Sequence, residues 1–147
     1  MKKLLKAAVF LLLQVPILAV PSCSGSKPAP ALPAEAEPEA IARTEFTDRL
    51  ENFFEYEPLH AGKPSQFRIH LTDLSDGTPI EQAQVTLVVR RKASAETAAE
   101  SVAKVGKVIG IYVAQLSVPQ AGAYDIEFHI RNAKLDERLQ LKDFKVE

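Results

Sequence analysis

The chain of 147 residues is poor in the residue types that form cross-links and reactive sites. It has one cysteine, Cys23, one methionine, Met1, and no tryptophan, and its six glycines are scattered singly. A single cysteine excludes an internal disulfide, so a hydrophobic core must hold the fold. The lack of internal methionine removes the thioether ligands that select Cu(I), and isolated glycines do not form a phosphate-binding loop.

Basic residues are also scarce outside the amino terminus. The chain has 18 basic and 19 acidic residues. Without Lys2, Lys3 and Lys6, which lie in the signal peptide predicted below, 15 basic residues remain and the formal charge is about −4. Nucleic acids require a concentrated basic face, so we expect no nucleic-acid partner.

Residues 1–22 have the organisation of a bacterial export signal. The three lysines precede an apolar run, residues 7–20, whose length of about 14 residues is too short for a membrane span but fits a signal peptide. The run ends in Val20-Pro21-Ser22-Cys23, which resembles the lipobox of bacterial lipoproteins. The resemblance implies cleavage before Cys23, a diacylglyceryl thioether on its sulfur and acylation of the new amino group. We expect no other cofactor.

This lipid on Cys23 predicts a protein held on a membrane in the periplasm. Two or more acyl chains give stable anchoring. Ser24, which follows the cysteine, resembles the outer-membrane sorting signal of enteric bacteria, so the outer membrane is the expected location. Residues 23–43 contain four prolines and are predicted to be a disordered tether, and residues 44–147 are predicted to be the folded domain.

Apolar residues in this domain recur at every second position, which is the period of strands. The clearest alternation covers residues 67–72, 85–90 and 124–131, and weaker candidates lie at 52–56, 109–116 and 139–146. Residues 93–103 are rich in Ala, Glu and Ser, which fits a short helix or a mobile loop. The pattern predicts an all-β fold, an antiparallel immunoglobulin-like β-sandwich of about seven strands.

The segment Ala121–Ile126 resembles the tyrosine corner of immunoglobulin-type sandwiches, in which a tyrosine hydroxyl bonds to the upstream backbone. Tyr124 is the tyrosine in question; the alternative is an ordinary core tyrosine after a glycine turn. Residue 126 is Ile where antibody domains have a cysteine, which agrees with a sandwich held by packing.

Candidate chemistry is limited to two histidines. His70 and His129 fall on the polar phases of their strands and are candidate metal ligands if they meet across one sheet face, although a closed site needs three or four ligands. The serines lie in turns or at predicted strand ends without the context of a nucleophile. We therefore predict that the protein is not an enzyme.

Residues 44–80, TEFTDRLENFFEYEPLHAGKPSQFRIHLTDLSDGTPI, carry an ordered series of motifs. A Thr-Asp pair precedes a strand that ends in Glu-Pro-Leu, the segment Gly62–Phe67 follows, and a hairpin runs from His70 to Ile80. This order resembles the amino-terminal domain of periplasmic adaptor subunits (membrane fusion proteins) of heavy-metal efflux pumps of the resistance-nodulation-division type. The similarity covers roughly residues 44–146.

The resemblance implies a module that docks on a protein of an efflux or envelope transport complex. Full adaptors continue into further domains that reach the pump and the outer-membrane channel, so we expect this chain to act as an accessory module and not as a bridge. Two alternatives remain open. One is a small metal-binding lipoprotein that feeds an efflux pump through His70 and His129, and the other is a truncated or split adaptor remnant.

Overall fold

A computed structural model describes residues 39–147. Cys23, the predicted signal peptide and residues 24–38 of the predicted tether lie outside the described residues. The described part has no helix, and therefore none long and apolar enough to span a membrane. Its nine strands are β1 (Ile41–Phe46), β2 (Leu50–Tyr56), β3 (Pro64–Asp73), β4 (Gln84–Arg91), β5 (Thr97–Val102), β6 (Lys104–Val105), β7 (Ile111–Ser117), β8 (Gly122–Arg131) and β9 (Asp136–Val146).

The strands form two antiparallel sheets packed face to face. The five-stranded sheet has the order β1-β2-β3-β7-β6, and the four-stranded sheet has the order β5-β4-β8-β9. The predicted all-β sandwich is confirmed, with nine strands in place of about seven. The additional strands are short or lie at sheet edges, where a strand buries too few side chains to produce a strong alternation.

The core consists of the inward-facing residues of both sheets. In β8 the buried Tyr124, Ile126, Phe128 and Ile130 alternate with partly exposed residues, because successive side chains of a strand point to opposite faces. Phe128 packs across the sandwich on Phe54 of β2, with ring centroids 4.8 Å apart. Aromatic contacts between the sheets thus take the place of the absent disulfide.

Two segments are strands where the sequence predicts other structure, because each pairs through its main chain with a neighbouring strand. β1 begins at Ile41, inside the predicted tether, and pairs with β2 along its whole length. β5 lies in the segment predicted as a helix or loop, pairs with β4, and packs Ala98 and Ala99 against the core. Both strands gain their stability from a neighbouring strand, which local composition does not reveal.

Two buried tyrosines fix connections by hydrogen bonds. The Tyr124 hydroxyl donates to the Gln120 carbonyl at 2.8 Å, which confirms the predicted tyrosine corner. The Tyr112 hydroxyl donates to the Ile80 carbonyl at 2.8 Å and accepts from the Ala83 amide at 3.0 Å. Tyr112, in β7, therefore anchors the connection from β3 to β4 and satisfies two buried main-chain groups of that connection.

Candidate docking surface

The two candidate metal ligands lie on different sheets. His70 is in β3 of the five-stranded sheet and His129 is in β8 of the four-stranded sheet. Each alternates with buried core residues, so the two side chains point outward on opposite faces of the sandwich. The sheets of a sandwich are about 10 Å apart. The interpretation that the histidines meet across one sheet face is therefore wrong.

Each histidine instead contacts a neighbouring strand. His129 Nε2 lies 2.7 Å from Asp136 Oδ1 of β9. The His70 ring packs edge-on against Phe53 of β2, with centroids 5.2 Å apart. Between residues 39 and 147 no group of three or more His, Cys, Asp or Glu side chains is placed to hold a metal ion. The histidines thus do not form a common site.

A polar groove of about 490 Å³ lies at one end of the sandwich. It is bounded by the connection from β3 to β4 and the connection from β8 to β9. Charges of both signs line it: Arg49, Asp73, Asp76, Glu81 and Lys134.

Two charged groups of this groove, Arg49 and Asp73, are engaged in local contacts. Arg49, in the turn between β1 and β2, donates through Nη2 to the Lys134 carbonyl at 2.8 Å, which joins this turn to the connection from β8 to β9. Asp73 Oδ1 accepts from the amide and hydroxyl of Ser75 at 2.8 and 2.7 Å. These hydrogen bonds lower the pKa of Asp73, with a smaller contribution from the nearby Arg49 and Lys134. The groove is therefore shaped by turn-stabilising interactions.

A second surface is apolar and lies on the outer face of the five-stranded sheet. Phe53, His70 and Ile111 are direct partners across β2, β3 and β7, and Val113 follows on the same face of β7. The turn between β6 and β7 carries Val108 and Ile109, both 61% exposed. We call five of these residues the apolar surface: Phe53, Val108, Ile109, Ile111 and Val113.

The turn that presents Val108 and Ile109 is held by main-chain hydrogen bonds. The Gly106 amide donates to the Ile111 carbonyl at 2.7 Å, and the Leu71 amide donates to the Gly110 carbonyl at 3.0 Å. Gly110 has φ +77°, and a Cβ there would lie 2.5 Å from the Cβ of Pro79. The aliphatic side chains therefore project from a fixed backbone, which lowers the conformational entropy lost on binding.

Polar groups border the apolar surface on the same sheet face. Arg68 Nη1 lies 3.5 Å from Glu55 Oε2, and Lys104 of β6 is opposite Val113. An apolar centre with a polar rim is the usual anatomy of a protein interface. The arrangement can bind an apolar protein surface.

The apolar surface is absent from the sequence-based predictions. Its signal is the segment KVGKVIG, residues 104–110, in which Val108 and Ile109 lie between two glycines, where a surface turn is ordinarily polar. Only the structure shows that these two residues are exposed and that they lie in the turn that leads into β7.

Comparison of the chain with protein-family models, with curated proteins and with solved structures finds no match in any of the three.

Proposed function

We propose that this chain is a lipid-anchored periplasmic docking module that binds a protein component of an envelope transport complex through the apolar surface. The observation that carries the proposal is the exposure of Val108 and Ile109, each 61%, on a hydrogen-bonded turn that leads into Ile111, which lies in the same row of strand partners as Phe53. Contiguous exposed apolar residues with a polar rim mark interaction sites in soluble domains. The resemblance to efflux adaptor domains supports a partner in a metal efflux system.

The location on the membrane rests on separate support. Residues 1–22 followed by Cys23 have the order of a lipoprotein signal and its lipidated residue, and the folded domain begins its first strand at Ile41. A lipid on Cys23 holds the domain near envelope complexes, so that binding to a partner occurs at high local concentration. Docking requires no catalytic group.

Affinity capture with matched variants tests the docking proposal. The full chain, tagged at its carboxyl terminus, is captured from detergent-solubilised envelopes of the native bacterium, and the bound proteins are identified by mass spectrometry. We expect an efflux adaptor or pump subunit in the wild-type sample. The double variant Val108→Asp with Ile109→Asp should lose it, because two charges must then be desolvated at the contact, whereas Gln140→Asp, on the other sheet, should keep it.

Two outcomes contradict the docking proposal. One is the absence of any efflux or envelope transport component from the wild-type capture. The other is equal capture by the wild type and by the double variant when far-UV circular dichroism shows that both are folded.

The anchor is tested independently with Cys23→Ala. We expect this variant to remain unprocessed and to incorporate no labelled fatty acid. If it matures to the wild-type size and stays in the membrane fraction, Cys23 is not the anchor, and the docking surface is unaffected by that result.

A further inference from the structure

β1 is an edge strand whose second side is free within residues 39–147. The hairpin between β1 and β2 is closed by the Thr47 amide, which donates to the Leu50 carbonyl at 2.9 Å. In an antiparallel pair, alternate residues direct their N–H and C=O groups to the partner strand. Counting back from Thr47, the residues that direct these groups to β2 are Ile41, Arg43 and Glu45.

The other three residues of β1 direct their main-chain groups away from the sheet. These are Ala42, Thr44 and Phe46, and among the described residues their outward-directed donors and acceptors have no strand partner. Such an edge is a template for another strand. An antiparallel partner must place its own outward-directed residues opposite these three.

A second copy of β1 meets this requirement in one favourable register. When Thr44 lies opposite Thr44 of the second copy, all three outward-directed residues of both strands pair, which gives about six main-chain hydrogen bonds. The same register places Arg43 opposite Glu45 of the second copy, and Glu45 opposite Arg43 of the second copy.

Neighbouring registers bring like charges together. Slipping the strands so that outward-directed residues still pair places Arg43 opposite Arg43 of the second copy, or Glu45 opposite Glu45 of the second copy. Like charges directly opposite each other in a sheet are destabilising, and opposite charges are stabilising. The charge order of β1 therefore selects the register centred on Thr44.

The charged side chains of β1 are already ordered and accessible. Arg43 Nη2 lies 2.8 Å from Glu45 Oε1, with 28% and 38% of the side chains exposed. The Arg43 guanidinium also donates to the Lys142 carbonyl at 3.1 Å and lies 4.9 Å from the centroid of the Phe144 ring. These contacts reduce the side-chain entropy that pairing with a second copy removes.

We propose that two copies of this chain form a symmetric homodimer through β1, which joins their five-stranded sheets into one continuous sheet. Pairing two six-residue strands buries an area at the low end of specific interfaces, so the dimer is of modest affinity in solution. Anchoring both copies to one membrane raises their effective concentration. The dimer edge is distinct from the turn residues Val108 and Ile109, so the dimer and the docking surface can be tested separately.

Disulfide trapping tests the geometry directly. In the proposed register the two Thr44 Cα atoms form a hydrogen-bonded pair about 5.5 Å apart, which is within the range of a disulfide. The full chain with Thr44→Cys, in detergent under mild oxidation, should form at least about ten times more disulfide-linked dimer than the wild type or Gln140→Cys, which carries an exposed thiol on an edge strand of the other sheet. Equal cross-linking in Thr44→Cys and Gln140→Cys overturns the proposal.

A charge exchange tests the register. Sedimentation equilibrium of the full chain in detergent, at up to about 100 µM, measures self-association. Glu45→Arg should weaken it about tenfold because each Arg43 then faces an arginine. Combining Glu45→Arg with Arg43→Glu should restore it to within about threefold of the wild type. A wild type that stays monomeric over the whole range overturns the proposal, as does a double variant that associates no better than Glu45→Arg while both are folded.

Discussion

Asn52 provides a quantitative test of how the core is held together. Its side chain lies on the inner face of β2, opposite Glu45 of β1 and Leu71 of β3, and is fully buried. Among the described residues, neither Nδ2 nor Oδ1 has a hydrogen-bond partner. A buried polar group without a partner costs about 1–3 kcal/mol. Replacing the amide with an apolar side chain of similar size should therefore stabilise the fold.

The size of the effect for Asn52→Leu follows from three contributions. Removing the unpaired amide is worth about 1–3 kcal/mol, and burying the leucine side chain adds about 2 kcal/mol. The methyl groups of leucine must fit a packed interior, which costs about 1–3 kcal/mol. We expect the free energy of unfolding to rise by about 1–2 kcal/mol and Tm to rise by about 4–8 °C.

Urea titration followed by far-UV circular dichroism measures this change, on the chain without residues 1–22. Gln115→Leu is the matched control, because Gln115 is exposed on β7 of the same sheet, and its effect should stay within about 0.5 kcal/mol. An unchanged slope against urea in both variants shows that the unfolded state is comparable. If Asn52→Leu is less stable than the wild type while the control is unchanged, the Asn52 amide makes stabilising contacts in the core, and the predicted cost of its burial is wrong.

Three further predictions concern the tyrosine anchor, the turn after β6 and an ion pair. Tyr112→Phe leaves a buried amide and carbonyl unpaired and should lower the free energy of unfolding by about 2–4 kcal/mol in urea titration; a loss below about 1 kcal/mol contradicts this. Gly110→Ala should cost about 1–3 kcal/mol more than Gly62→Ala, because both have positive φ but only at Gly110 does a Cβ meet another residue within 4 Å; equal losses contradict this. The hydrogen bond from Lys92 and its positive charge lower the pKa of Asp143. The stabilisation by this ion pair is therefore present above about pH 4 and is lost as the pH falls through the lowered pKa of Asp143. In thermal melts, the Tm of the wild type should therefore be higher than that of Asp143→Asn at about pH 7 and equal to it at about pH 2. A difference in Tm that is the same at both pH values contradicts this.

The sequence predicted the parts of the fold that bury one face of a strand. β8 was predicted as residues 124–131 because its apolar residues alternate with charged ones, and the structure has it at Gly122–Arg131. β5 is not predicted as a strand, because the middle of Thr97–Val102 contains Ala98, Ala99 and Glu100, which have low strand propensity, and the segment is held by hydrogen bonds to β4. Such pairing depends on a second strand, and the alternation within the segment itself contains no record of it.

The candidate sites show a similar division. Alternation correctly placed His70 and His129 on the outward phase of their strands, but it did not show that they lie on different sheets, whose outward faces point in opposite directions. The aliphatic residues Val108 and Ile109 have the composition of core residues. Their exposure depends on a turn that extends beyond the core, which the sequence pattern does not specify.

The attachment of Arg43 across the side of the sandwich has a mechanical consequence. β1 is the first strand of residues 39–147, so a pull on the chain at Ile41 acts first on this end of the strand. A load that peels β1 away from β2 breaks their hydrogen-bonded pairs in turn, beginning with Ile41 and Tyr56. The Arg43 contacts to Phe144 and the Lys142 carbonyl fasten this end to β9 and distribute the load over both sheets.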